Sequence, residues 1–120
     1  MGDFKKLRVW QDGIRLTKSI YTITKQASFS KDFGLSNQIQ RASVSIPSNI
    51  SEGDERGTDK ESIHFFNIAK GSTAEVITQL IIAEQAGYIT QSEREELEDL
   101  AEKIRSSLKK LIAARKRSQL

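Results

Sequence analysis

The chain of 120 residues has the length of one domain, with enough buried surface for a hydrophobic core. Hydrophobic residues make up 37% and charged residues 29%, which excludes a disordered chain and a membrane-embedded one. The chain has no cysteine and one histidine, so disulfide scaffolds, thiolate metal sites and histidine-rich metal centres are excluded as well. The charged N-terminal residues lead into no apolar segment of signal-peptide or membrane-spanning length, so we expect a soluble, cytoplasmic protein.

The net charge of +3 is unevenly distributed along the chain. Residues 1–51 hold 8 basic and 3 acidic side chains, residues 52–102 hold 4 and 13, and residues 103–120 hold 7 and none. One explanation is local, because acids at the start and bases at the end of a helix complement its dipole. The other is a basic surface that faces a polyanion.

The first predicted helix covers residues 8–27. Its apolar and small residues are separated by alternating steps of four and three, which is the period of a helical face and not of a strand. This stripe consists of Val9, Gly13, Leu16, Ile20, Ile23 and Ala27, and Trp10, Ile14, Thr17 and Tyr21 beside it widen the predicted buried face.

The second predicted helix covers residues 33–55 and contains Pro47, the single proline of the chain. A proline in a helix interior removes one backbone hydrogen bond and usually bends the helix. The apolar stripe nevertheless continues beyond it, through Leu35, Ile39, Ala42, Ile46, Asn49 or Ile50, and Gly53. We therefore expect one continuous helix with a kink near Pro47.

Capping boxes at residues 58–61 and 90–93 predict the starts of the third and fourth helices, over residues 59–86 and 91–115. Gly87 offers a C-terminal cap between them. The apolar stripes are Phe65, Ala69, Ser72, Val76, Leu80 and Ala83 in the third helix, and Leu97, Leu100 or Ala101, Ile104, Leu108 and Leu111 in the fourth.

Four long helices with short connections predict an all-α, antiparallel up-down-up-down four-helix bundle as a single domain over residues 1–120. In this topology the start of the first helix and the end of the fourth meet at one end of the bundle. We expect the cations there to bind nucleic acid, since the helix dipole does not account for bases at a helix start. The candidate residues are Lys5, Lys6, Arg8, Lys109, Lys110, Arg115, Lys116 and Arg117.

A second polar set lies beside the apolar stripe of the second helix. It consists of Gln38, Arg41, Ser45, Asn49 and Glu52, with Glu75 of the third helix as a further candidate. One interpretation is a structural network in which Arg41 is satisfied by Glu52 or Glu75. The other is a catalytic carboxylate pair, but no nucleophile, metal or histidine partner accompanies it, which favours the structural network.

Two small residues in the middle of the third helix, Gly71 and Ser72, predict the close approach of a neighbouring element. The kink at Pro47 is the candidate neighbour.

Residues 61–64 read Glu-Ser-Ile-His, a pattern that occurs in di-iron four-helix bundles. Such a site needs two of these motifs and two further glutamates, and Glu61 already belongs to a capping box. No nucleotide-binding or hydrolase motif is present either. We therefore expect no metal, no cofactor and no enzymatic activity, with a metal-dependent enzyme built on Glu61 and His64 as a minor alternative.

The second helix carries the most specific pattern, Gly-Leu-x-x-Gln-Ile-x-Arg-Ala-x-x-Ser-Ile-Pro-x-Asn-Ile-x-Glu-Gly over residues 34–53. Further matching stretches lie at residues 7–11, 69–75 and 87–89. Together they resemble the four-helix-bundle proteins encoded in intervening sequences of bacterial 23S rRNA genes. That family is similar in turn to the accessory variability proteins of diversity-generating retroelements, which bind nucleic acid and a reverse transcriptase.

The resemblance implies a ring-like homopentamer with a basic surface that faces nucleic acid, and it does not imply an enzyme. We therefore expect an oligomeric, non-enzymatic protein that binds RNA or DNA mainly through phosphates. The alternative is a protein-interaction module, for instance an adaptor for a reverse transcriptase, with Ile77, Ile81 and Ile82 as apolar contact residues. The same three residues could equally seal the contacts between subunits of a ring.

Overall fold

The structure, a computed structural model, describes residues 3–118 and contains no strand within that range. A 3-10 helix at Phe4–Lys6 precedes five α-helices. These are α1 (Arg8–Thr24), α2 (Ala27–Lys31), α3 (Phe33–Glu55), α4 (Asp59–Gln85) and α5 (Gln91–Ser118). The described chain is therefore all-helical, with four long helices and one of five residues.

The helix predicted over residues 8–27 is wrong at its C-terminal end, because α1 ends at Thr24 and Ala27 already belongs to α2. The break allows α2 to bury Phe29 completely. The Phe29 ring stacks on that of Tyr88, with 5.3 Å between the ring centroids. Helical spacing could not reveal this break, since Ala27 falls on the same period as the stripe of α1.

Side-chain caps begin three of the long helices. Asp32 accepts a hydrogen bond from the Leu35 amide at 3.0 Å at the start of α3. The predicted capping boxes begin α4 and α5, where the threonine hydroxyls accept hydrogen bonds from the Glu61 and Glu93 amides at 3.2 and 3.1 Å. Gly87 has a φ of +81° after the end of α4, the left-handed conformation that favours glycine.

The predicted apolar stripes form most of the buried core, with one correction in each of α3, α4 and α5. In α3, Leu35 is only half-buried. In α4, Phe66 is fully buried and Phe65 only half-buried, and in α5, Ile112 is buried and Leu111 half-buried. In both helices the neighbouring residue also lies near the apolar face, so the spacing alone did not distinguish the two positions.

Contacts between the long helices follow a regular order. In each helix pair, the residue number falls in one helix as it rises in the other. The contacts are Gly13–Pro47 and Thr24–Gln40 between α1 and α3, Gly53–Ser62 and Ser45–Ser72 between α3 and α4, and Glu84–Arg94 and Ser62–Arg115 between α4 and α5.

Helix α3 continues through Pro47 as one element. The small residue packed against this proline is Gly13 of α1, where a Cβ atom would lie 3.4 Å from the proline ring. The predicted approach of Gly71 to Pro47 is wrong, since Gly71 is exposed with no neighbour near its Cβ position. Its neighbour Ser72 faces α3 instead, and its hydroxyl donates to Ser45 Oγ at 2.9 Å.

Candidate nucleic-acid interface

Three predicted contact residues lie where the chain enters the bundle. Lys5 and Lys6 belong to the 3-10 helix, Arg8 is the first residue of α1, and all three side chains are exposed. The 3-10 helix packs against α1 and α3. It is fixed by the Gln11 side-chain amide, which donates to the Lys5 carbonyl at 3.0 Å.

Four further predicted contact residues are exposed on the last third of α5: Lys109, Lys110, Lys116 and Arg117. A spacing of seven residues corresponds to about two helical turns. Lys109 and Lys116 therefore share one face of α5, while Lys110 and Arg117 share another.

These seven cations form no ion pair within 4.0 Å among residues 3–118. We refer to Lys5, Lys6, Arg8, Lys109, Lys110, Lys116 and Arg117 as the basic end. Because none of them is paired with a carboxylate in the described structure, their charge is available to an external anion.

Arg115, the eighth predicted contact residue, is placed differently from the other seven. Its guanidinium donates to Ser62 Oγ at 3.1 Å and lies 3.5 Å from Asp59 and 4.0 Å from the buried Asp54. It also lies over the Phe66 ring, 5.6 Å from the centroid. The seven-residue spacing from buried Leu108 could have indicated this inward placement.

Some of the acidic side chains in the second half of the chain are paired internally. The Arg94 guanidinium donates to Glu84 at 2.7 Å and to Glu98 at 2.9 Å, and these hydrogen bonds raise its pKa. The Thr90 amide and the Gln26 side chain donate to Glu93, which lowers the pKa of that carboxyl group.

The second polar set is divided between a hydrogen-bonded group and separate surface residues. The Asn49 amide donates to Ser45 Oγ at 2.9 Å, and Ser72 donates to the same oxygen. The predicted pairing of Arg41 is wrong, because Glu52 pairs with Arg56 at 2.8 Å and neither Glu52 nor Glu75 lies within 4.0 Å of Arg41. Glu52 lies in the last turn of α3, four residues before the C-cap residue Arg56, so Arg56 is the nearer cation.

An open cleft of about 300 Å³ separates Arg41 from Glu75 across α3 and α4. It is lined by Gln38, Arg41, Ala42, Ser45, Ser72, Glu75 and Gln79. The two charged side chains are exposed to solvent, and no carboxylate pair is formed in this cleft.

The minor alternative of a metal site concerns Glu61 and His64. Glu61 is held by Thr58, whose hydroxyl donates to its carboxylate at 3.1 Å. His64 is exposed and packs edge-on against Phe65. Residues 3–118 contain no group of three or more histidine, cysteine, aspartate or glutamate side chains that could hold a metal ion.

Two cations outside the predicted set lie on facing helices: Arg15 of α1 and Lys103 of α5. Both reach the same buried carboxylate, that of Asp12. The signal that could have identified them is spacing, since Arg15 follows Arg8 by seven residues and Lys103 precedes Lys110 by seven.

The comparisons with known proteins agree with this fold. The sequence profile of the 23S rRNA-intervening sequence proteins matches residues 5–110. A crystal structure from Bacteroides thetaiotaomicron, of a protein of unknown function from the S23 ribosomal protein family, is similar with a TM-score of 0.82 and 26% identity. The similarity covers 87% of this chain and 97% of that one.

A comparison with curated proteins finds no match. Within residues 3–118, no helix combines the length and the hydropathy that crossing a bilayer requires. Because the family profile matches most of the sequence, the chain belongs to the 23S rRNA-intervening sequence protein family.

Proposed function

We propose that this protein is a cytoplasmic, non-enzymatic, oligomeric nucleic-acid-binding protein, which contacts the phosphates of RNA or DNA through its basic end. The observation that carries the proposal is the set of seven exposed cations without an ion pair in the described structure. Lysine and arginine side chains of this kind neutralise phosphates and release counterions, which supplies most of the affinity in non-specific binding.

The helix arrangement supports the convergence of both chain termini at one end. We propose an antiparallel up-down-up-down bundle, bent near Pro47, because the contacts between the long helices run in opposite numerical order. Gly13 lies against Pro47, so the segment that precedes α1 extends toward the C-terminal half of α3. The last turns of α5 reach the same region, since Arg115 approaches Asp54.

We propose that binding is weakly dependent on sequence. Sequence-specific recognition of single-stranded RNA relies on aromatic side chains that stack on bases. The aromatic residues nearest the basic end are engaged within the protein: Phe4 packs on Trp10, Arg56 covers Phe65, and Phe66 is buried. Phosphate contacts should therefore dominate, with a steep dependence on salt.

We propose that the protein acts as a homo-oligomer, with the pentamer implied by the family resemblance as the expected state. Each subunit would contribute its own basic end to a common surface. Linking several weak binding surfaces raises the overall affinity for a long polyanion without any new contact.

Alanine substitution in the last turn of α5 tests this function. We expect the double variant Lys116→Ala with Arg117→Ala to weaken binding to unrelated RNA and DNA sequences by a similar factor of about ten at low salt. The matched control is Lys25→Ala with Lys31→Ala, which removes the same charge from two exposed lysines, one just after α1 and one at the end of α2. Filter binding measures both variants, and equal affinities for the wild type and the Lys116/Arg117 variant would contradict the proposal.

The second candidate function is a protein-interaction module, such as an adaptor for a reverse transcriptase. The specific observation in its favour is exposed apolar surface. On α4, Ile68, Ile81 and Ile82 are 40–48% exposed, while Ile77 is half-buried. On α1, Ile14 and Tyr21 are 43% and 40% exposed, so the prediction that they widen the buried face is wrong.

Size-exclusion chromatography with light scattering distinguishes the two candidates. An oligomer whose mass rises when RNA is added supports nucleic-acid binding. An oligomer whose mass is unchanged by RNA or DNA at low salt favours the interaction module.

A further inference from the structure

A cleft of about 290 Å³ opens between α1 and α5, next to the basic end. It is lined by Arg8, Gln11, Asp12, Arg15 and Lys103. Three of these five side chains are cationic and one is anionic, so the cleft carries a net positive charge. Arg15 and Lys103 are not part of the basic end.

Asp12 is the one acidic residue among the described residues that line this cleft, and it is only 3% exposed. Its Oδ1 atom accepts a hydrogen bond from Arg15 Nη2 at 3.1 Å, and its Oδ2 atom lies 3.5 Å from Lys103 Nζ without forming a hydrogen bond. A buried carboxylate of this kind is tolerated because cations flank it. Asp12 therefore holds one cation from each helix at the same place.

Both of these cations keep hydrogen-bonding capacity toward solvent. The Arg15 side chain is 63% exposed and the Lys103 side chain is 52% exposed. A guanidinium has five N–H donors and an ammonium has three, so each group can contact Asp12 and an external anion together. A guanidinium fixed in this way is preorganised for the oxygens of a phosphate.

The helical register extends this arrangement along the groove between α1 and α5, which we call the α1/α5 seam. Arg8 and Arg15 lie two turns apart on α1, and Lys103, Lys110 and Arg117 follow at the same interval on α5. From Lys103 to Arg117 the row of cations covers about 21 Å of the helix axis. Beyond Arg15 and Lys103 the groove is lined by one further cation, Lys18, and by Glu93 and Glu96, so its charged side chains there are mainly acidic.

We infer that the α1/α5 seam is a binding site for consecutive phosphates of a nucleic-acid backbone, and that Asp12 is a positioning residue which holds Arg15 and Lys103 toward it. The inference rests on the proposed function and adds a path for the ligand. The backbone leaves the basic end and follows the seam until the acidic residues repel it. A length of about 21 Å corresponds to about six phosphates along one strand of a B-form duplex.

Fluorescence anisotropy with a labelled single-stranded RNA and a labelled DNA duplex tests the seam. We expect Arg15→Gln with Lys103→Gln to weaken binding by about tenfold. The slope of log K against log salt should become less negative by about two, because two phosphate contacts are lost. The matched control is Lys25→Gln with Lys31→Gln, which removes the same charge from two exposed lysines outside the seam, one just after α1 and one at the end of α2. We expect less than about a threefold change for this control.

Equal weakening by the two double variants would overturn the seam while leaving the proposed function in place, because it would indicate a general effect of net charge. Absence of binding by the wild type at low salt would instead contradict the proposed function itself. The two failures are therefore distinguishable in one experiment.

The positioning role of Asp12 is tested by whether Asp12→Asn tightens or weakens RNA binding. Asp12→Asn removes one negative charge from the cleft, so electrostatics alone would tighten RNA binding. If Asp12 holds Arg15 and Lys103 in place, its loss should instead weaken RNA binding and make the slope of log K against log salt less negative. The helical content and the oligomeric mass of the variant should be unchanged. Tighter binding by Asp12→Asn would overturn the positioning role.

Discussion

Arg115 Nη1 donates a hydrogen bond to Ser62 Oγ at 3.1 Å, and Ser62 Oγ donates in turn to the Gly53 carbonyl at 2.7 Å. This chain of contacts joins the last turns of α5, the first turn of α4 and the end of α3. The cationic C-terminus of α5 is thereby held against the bundle by one of its own basic residues, while Lys116 and Arg117 stay exposed.

We predict that Arg115→Gln destabilises the fold by about 1–3 kcal/mol, because the buried Asp54 carboxylate loses its cation. Urea unfolding measures the change in the free energy of unfolding. The control is Arg105→Gln, which breaks an exposed pair with Glu102 and should cost less than about 1 kcal/mol. Equal stabilities of the Arg115 and Arg105 variants would show that Arg115 has no anchoring role.

Alanine substitution of one glycine in α3 and one in α4 is expected to change the stability in opposite directions. A Cβ atom at Gly53 would lie 2.6 Å from the Phe66 ring and 3.1 Å from the Ser62 carbonyl, whereas a Cβ atom at Gly71 would have no neighbour within 4 Å. We therefore expect Gly53→Ala to destabilise the protein by about 1–3 kcal/mol through overpacking. Gly71→Ala should stabilise it by up to about 1 kcal/mol through helix propensity.

Thermal unfolding of the two glycine variants checks this pair. Destabilisation by both variants to the same extent would contradict the assignment of Gly53 as the point of close approach between α3 and α4.

Two carboxyl groups predict how the stability of the fold decreases at acidic pH. The Leu35 amide and the Tyr88 hydroxyl donate to Asp32 and lower its pKa below the ordinary value of 3.8, while the Thr90 amide and Gln26 lower the pKa of Glu93 below 4.5. The unfolded chain therefore binds more protons than the folded one as the pH falls through this range. Stability is fully present above about pH 5 and should decrease below it.

Melting temperatures between about pH 3 and pH 6 measure this effect. We expect Asp32→Asn to be less stable than the wild type at pH 6 and to lose less stability on acidification. The control is Glu55→Gln, an exposed carboxylate without an ion pair in the described structure, which should follow the wild-type curve. A wild-type melting temperature that is independent of pH in this range would contradict the assignment.

The sequence was informative wherever a signal is local to one helix. The capping residues Thr58 and Thr90 and the terminal glycine Gly87 depend on neighbours a few positions away, and the structure has them as predicted. The apolar stripes are of the same kind, because burial on one face of a helix follows from its own period.

Relations between helices could not be predicted in the same way, because spacing within one helix does not fix the register of another. Gly71 was predicted to lie near Pro47, whereas Gly13 occupies that position. Arg115 was grouped with its exposed basic neighbours, although Asp54, Asp59 and Ser62 surround it. The shared contact of Arg15 and Lys103 with Asp12 depends on the same inter-helical register.

The most direct test of phosphate-mediated binding is the affinity of the wild-type protein for two unrelated RNA sequences across a series of salt concentrations. We predict that both affinities fall together, with a slope of log K against log salt of about −3 or steeper. A slope near zero, or a preference for one sequence that persists at every salt concentration, would contradict binding through the phosphates.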